Sequence, residues 1–267
     1  MNKRFLYSVC AVAIVIAVYA FEYILKTKEE AINIEQGQEV KAHTKMFFMP
    51  TSTTGAVIHH EGYSLSYHET YEQAEWVAYE LKKEHLSSID RDRPYFEMDK
   101  AVKTGAAHWK NYKNSGYDKG HLCPAADKRY NMEAHDETFL TSNISPQNHQ
   151  FNAGIWNDLE QKVRYWAKKH DGVFVITGGV LNEALPTIGE EQVAVPNQFF
   201  KIVLDYNSGH PKLIAFLIPN KDSRKPLANF VVPVDAIETL TGIDFFYQWD
   251  DRQENLLEAD IHLKDWF

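Results

Sequence analysis

The chain has 267 residues, 44% of them hydrophobic and 13% aromatic, enough to bury a core for one large domain or two small ones, which excludes a disordered polymer. Its formal net charge of −9 excludes a uniformly basic nucleic-acid coat, so any nucleic-acid binding has to be local or metal-assisted. The only two cysteines, Cys10 and Cys123, are not expected to pair, so the fold does not depend on disulfides.

In chain order, a basic start, MNKR, precedes an uncharged apolar run from Phe5 to Phe21. This is the pattern of a secretory signal or an N-terminal membrane anchor. Both readings predict export to the periplasm or the extracellular space, with residues 5–25 holding the protein to the membrane if they are not cleaved. The polar stretch that follows reads as a linker. The expected organisation is therefore signal or anchor over 1–25, linker over 26–45, and one globular domain over 46–267. Alternation of apolar and polar residues predicts strands around Val57 and from Tyr63 to Tyr67. In YEQAEWVAYELKKEHL, Ala74, Val77, Ala78 and Leu81 fall on one face of a predicted helix. The charged segment IDRDRPYFEMDKAV reads as a loop leading to an extended piece.

Residues Phe139 to Thr141 read as a short strand broken by Ser145-Pro146. A helix is predicted from about Asn152 to Lys169, with Trp156, Leu159, Val163 and Trp166 as its buried stripe. GVFVITGGV is an apolar strand. QFFKIVLDY and KLIAFLIPN form a predicted hairpin, and PVDAIETLTG a short helix. Locally pairing strands with interspersed helices point to an α+β domain.

Three clusters could carry chemistry: Asp118 to His121, Asn143 to Gln147, and Asn152 with Glu160. Each has a plain structural reading, including Asn152 as a helix cap. On a regular helix Asn152, Trp156 and Glu160 fall at i, i+4 and i+8, along neighbouring positions of one face. An Asn carboxamide oxygen is a hard, neutral oxygen ligand for a metal. A rival reading takes Asp118, His121, Cys123 and Asp127 as zinc ligands, although zinc sites normally present repeated Cys/His pairs.

YDKGHLCPAAD resembles the D-R-G-H motif of the DNA/RNA non-specific endonucleases, which belong to the ββα-metal (His-Me finger) nucleases. SNISPQNHQFNAGIWNDLE matches the same family's second motif, in the right order. The resemblance extends over roughly Val57 to Gln248 and implies an α+β fold with a mostly antiparallel central sheet flanked by helices. It implies a metal-dependent endonuclease that hydrolyses DNA and RNA without sequence preference. His121 would be the general base that activates water. Asn152 would be the direct protein ligand of Mg²⁺, with Mn²⁺ as the other option. Glu160 would orient metal-bound water, and Asn143 would support the centre by hydrogen bonding. The family's upstream phosphate-contacting arginine falls on Arg93 or Arg91, which spacing does not separate. Lys119 stands where the family has Arg; it keeps the charge and loses bidentate geometry, which bears on its phosphate contact. The physical chemistry agrees: a neutral imidazole suits a base at neutral pH, and Mg²⁺ needs few protein ligands. The alternative of a different class is an anchored nucleic-acid-binding domain that kept the fold and lost catalysis.

Overall fold

The computed structural model describes residues 48–86, 89–207, 211–250, 254, 257–259 and 263–267. The expected signal or anchor, the linker and Met46 itself lie outside them.

The strands are β1 (Val57–His59), β2 (Ser64–His68), β3 (Gln73–Lys82) and β4 (Asp118–His121); helix α1 (Met132–Glu137) then precedes β5 (Ile144–Gln147). Helix α2 (Asn157–Lys169) leads into β6 (Gly172–Gly179), the short pair β7 (Thr187–Ile188) and β8 (Val193–Ala194), and the hairpin β9 (Gln198–Asp205) and β10 (Lys212–Pro219). Strand β11 (Val231–Val232) and helix α3 (Val234–Thr241) follow. Seven strands pair in the order β1-β2-β3-β6-β9-β10-β11, every pair antiparallel. Strands β4 and β5 form a separate antiparallel pair. This is the expected α+β architecture with an antiparallel central sheet.

Both faces of the large sheet are covered. One core gathers Val77, Tyr79 and Leu81 of β3 with Leu159, Val163 and Trp166 of α2. The other gathers Trp76 and Ala78 with Val234 and Ile237 of α3. That arrangement corrects the helix predicted from Tyr71 onward: Glu72 turns the chain at φ 54°, and Gln73–Lys82 is a central strand. Its two faces are both apolar, so the in-out alternation that marks a half-exposed strand is missing and the spacing imitates a helical stripe. Glu75, buried within it, accepts from Ser66 Oγ at 2.5 Å and Thr53 N at 3.0 Å, which satisfies its carboxylate.

The second correction concerns β5. The strand is Ile144–Gln147, not 139–141, and it runs through Pro146 opposite Lys119. A proline is tolerated here because a two-stranded ladder leaves an edge that needs no donor. Residues Phe139 to Thr141 instead belong to a turn, where Leu140 makes an isolated parallel bridge to Glu97.

Candidate active site

Antiparallel pairing sets Asp118 opposite Gln147, Gly120 opposite Ser145 and His121 opposite Ile144. Period-two alternation then sends Lys119 and His121 to one face of the pair. A Cβ at Gly120 would lie 2.1 Å from Gln147 Oε1, so that buried side chain would have to shift. Immediately after His121 the chain is pinned by Asn143. This buried amide accepts from Cys123 N and donates to the carbonyls of Cys123 and Thr138, each at 2.9 Å. Cys123 is fully buried, and burial pushes its thiol up to about 12, so it is inert packing behind the strand.

The charged loop reaches this strand through a long-range contact. Glu97 N donates to Phe139 O at 3.2 Å, and Thr141 N donates to Glu97 O at 2.8 Å. The contact brings Phe96 and Phe139 to the face that carries His121. The His121 ring lies 5.6 Å from Phe96 and edge-on to Phe139 at 5.0 Å. The Arg93 guanidinium sits over the same two rings at 5.6 and 5.7 Å, and Lys119 Nζ lies 5.3 Å from Phe96. Arg93, Lys119 and His121 are thus gathered around two phenylalanines. Arg91 is not part of this group: its Nε donates to the Arg129 carbonyl at 2.6 Å.

Burial lowers the His121 pKa to about 4, with Arg93 and then His135 adding to the shift. The ring is therefore neutral across the physiological range, and its Nε2 is buried with no hydrogen-bond partner. Two cations beside a neutral imidazole make a local positive patch in an acidic protein.

The segment after β5 is not the regular helix predicted from Asn152. Asn148 is the cap, its Oδ1 accepting from Gln150 N at 3.0 Å and Phe151 N at 3.3 Å. A helical turn, His149–Phe151, passes into a π turn, Asn152–Trp156, in which Gly154 is non-helical at φ −101°, ψ −113°. The i, i+4, i+8 alignment of Asn152, Trp156 and Glu160 is lost as a result. Trp156 points into the core against Phe151 and Phe199. Asn152 is held from the strand side: its Nδ2 donates to Asp118 Oδ2 at 2.9 Å, and His149 Nδ1 meets the same oxygen at 3.0 Å. Because the amide nitrogen is engaged, Oδ1 is the end of the carboxamide left to act as a ligand.

Glu160 lies in a buried charge cluster that composition did not reveal. Burial raises its pKa to about 7, Asp127 adds to the rise, and Lys201 and Arg164 oppose it. Arg164 Nη1 bonds Asp127 Oδ1 at 2.8 Å, and Tyr79 Oη donates to Asp127 Oδ2 at 3.0 Å. Lys201 is fully buried, with Nζ 4.6 Å from the centre of the Trp156 ring and no hydrogen bond. The available signal was a lysine in the middle of the apolar strand QFFKIVLDY. The zinc set of Asp118, His121, Cys123 and Asp127 is not assembled. Among the described residues, the His/Cys/Asp/Glu group spaced to hold an ion is Asp235, Glu238 and Glu258.

Residues 43–252 match the family model for DNA/RNA non-specific endonucleases. The chain belongs to this family. A nuclease from Syncephalastrum racemosum is 36% identical over 218 residues, covering 73% of this chain and 68% of that protein. Mitochondrial endonuclease G of Homo sapiens is 35% identical over 200 residues, covering 69% and 67%. The solved structure of an EndoG/EndoGI complex superposes with a TM-score of 0.72 at 30% identity, over 78% of this chain and 92% of that one. This non-specific endonuclease is therefore an enzyme acting on nucleic acid.

The family likeness also corrects the expected location. Export to the periplasm or the extracellular space is not supported, because relatives of this endonuclease include mitochondrial endonuclease G and a mitochondrial EXOG nuclease of Danio rerio. The membrane attachment inferred from residues 5–25 is likewise unsupported. No helix among the described residues is long and apolar enough to cross a membrane, and residues 5–25 lie outside them.

Proposed function

We propose that this endonuclease hydrolyses the phosphodiester bonds of DNA and RNA in a metal-dependent reaction, with His121 as general base and Asn152 Oδ1 as the protein ligand of Mg²⁺ or Mn²⁺. The observation that carries the reading is the grouping of a neutral His121 with Arg93 and Lys119 around Phe96 and Phe139. A base must be unprotonated to take a proton, and the lowered pKa keeps His121 so. Arg93 and Lys119 supply positive charge where the transition-state phosphate builds up negative charge. With Arg91 engaged on a backbone carbonyl, Arg93 is the arginine in position for that contact.

The donors fit a hard divalent cation. Asp118 fixes the Asn152 carboxamide by its nitrogen, which commits the oxygen outward as a neutral ligand. When bound, such an ion stabilises charge on the leaving oxygen. Glu160, its pKa raised by burial, orients water from behind, and Lys201 and Arg164 favour its charged form. Asn143 is a positioning residue: it fixes the backbone after His121 and touches no reacting atom. Contacts through cations to phosphate carry no base information, which agrees with cleavage of little sequence preference. The globular domain over 46–267 would carry the whole reaction.

The test is incubation of the full-length protein with plasmid DNA and with single-stranded RNA, with Mg²⁺ or with chelator. Cutting of both substrates only when the ion is present is expected. Cutting that persists in chelator would remove the metal from the mechanism.

A further inference from the structure

We propose that Asp235, Glu238 and Glu258 form a second cation site, suited to a hard divalent ion of the calcium class, which ties the C-terminal segment to α3. One carboxylate oxygen from each residue lies within 4.8 Å of the other two. Asp235 and Glu238 stand at i and i+3 in α3, so they share a face of that helix. Glu258 comes from a separate part of the chain. It is 5% exposed, and its Oε1 has no hydrogen-bond partner.

A buried carboxylate oxygen without a donor is costly, and two like charges beside it add repulsion. Among the described residues, the other charged groups named as acting on Glu258 are Glu254 and Asp244, both acidic. Among the described residues the group is wholly acidic around an unpartnered buried oxygen, a setting that a proton or a cation would relieve.

Ligand chemistry selects the ion class. All three donors are carboxylate oxygens, with no nitrogen or sulfur for zinc. An ion bonded at about 2.3–2.6 Å to each of two ligands can bridge oxygens as far apart as about 4.6–5.2 Å, and such bond lengths are those of Ca²⁺. Mg²⁺, at about 2.0–2.1 Å, demands near-ideal octahedral geometry and keeps several of its waters. Ligands from two separate segments suit the looser ion. This site is distinct in residues and place from Asn152, and it does not depend on the catalytic reading.

The experiment uses the full-length protein carrying Asn152→Ala, so that calcium cannot enter the proposed catalytic site. Calorimetric titration with CaCl₂ after chelator stripping should find about one site per chain. Saturating Ca²⁺ at a hundred times its dissociation constant should raise the melting temperature by about 5–10 °C. Adding Asp235→Asn and Glu238→Gln should abolish both the heat and the shift, while raising the calcium-free melting temperature because repulsion around Glu258 is relieved. If that variant does not melt cooperatively, Asp235→Asn alone should weaken Ca²⁺ binding at least about tenfold. Absence of calcium binding in the Asn152→Ala protein, or unchanged binding after the acidic substitutions, overturns the proposal; the first result would leave a proton on Glu258 to relieve the acidic group.

Discussion

Replacing Asp118 by alanine removes the anchor of the proposed metal ligand without touching the ligand. One carboxylate oxygen, Oδ2, takes both Asn152 Nδ2 at 2.9 Å and His149 Nδ1 at 3.0 Å. A hydrogen bond to a charged group is worth about 1.5–3 kcal/mol net, which corresponds to about 10–150-fold in a binding constant. The Asp118 side chain is 34% exposed, so solvent screening places the effect near the lower end, about tenfold. Loss of such an outer partner weakens metal binding in other proteins by about 10–100-fold, consistent with that figure. The assay is the initial rate of plasmid cleavage as Mg²⁺ is varied. Asp118→Ala should need about tenfold more Mg²⁺ for half-maximal rate and recover most of the maximal rate at saturation. His149→Ala, which leaves the Asn152 contact in place, should shift the curve much less. An unchanged Mg²⁺ requirement in Asp118→Ala would refute the claim that Asp118 fixes the ligand.

Gly120→Ala should destabilise the protein by about 1–3 kcal/mol, because the new Cβ collides with Gln147. A melt would read this as a fall of about 2–12 °C, and an unchanged melting temperature contradicts the packing. Arg93→Ala should cut the cleavage rate by about 10²–10³-fold, as loss of a transition-state charge partner does. Arg91→Ala should mainly lower stability, since its contact is the Arg129 carbonyl; equal rate losses in the two would dissolve the distinction. The folded-state pKa of His121 is about 4 against an ordinary 6.5. Between those values the unfolded chain binds more protons, so this group's stabilising contribution is present above pH 6.5 and is lost as pH falls towards 4. Melting temperature against pH should therefore drop more steeply over that window in the wild type than in His121→Ala. Parallel curves would contradict the burial of the ring.

The sequence carried the site further than it carried the sheet. His121, Asn152 and Glu160 stand in two short local motifs, and the strand and helix that bear them form from residues close in the chain. Which of Arg91 and Arg93 stands beside His121 was not legible, because it depends on the long-range contact of Glu97 with Phe139 and Thr141. The same is true of Lys201, which reaches Glu160 only through tertiary packing. Strand β3 was misread because Trp76 and Ala78 feed one core while Val77 and Tyr79 feed the other. A strand buried on both faces has no polar side to reveal its period. The π turn at Gly154 altered the helix register in a way that a pattern assuming 3.6 residues per turn does not register.

The most direct test of the account is the cleavage rate of full-length His121→Ala at saturating Mg²⁺, with and without added imidazole, beside a melt that shows it is folded. Loss of a general base should lower the rate by about 10²–10⁴-fold. Neutral imidazole, entering the space vacated by the ring beside Phe96 and Phe139, should restore part of it. A folded His121→Ala protein that cuts at the wild-type rate would contradict the assignment of His121 as the base.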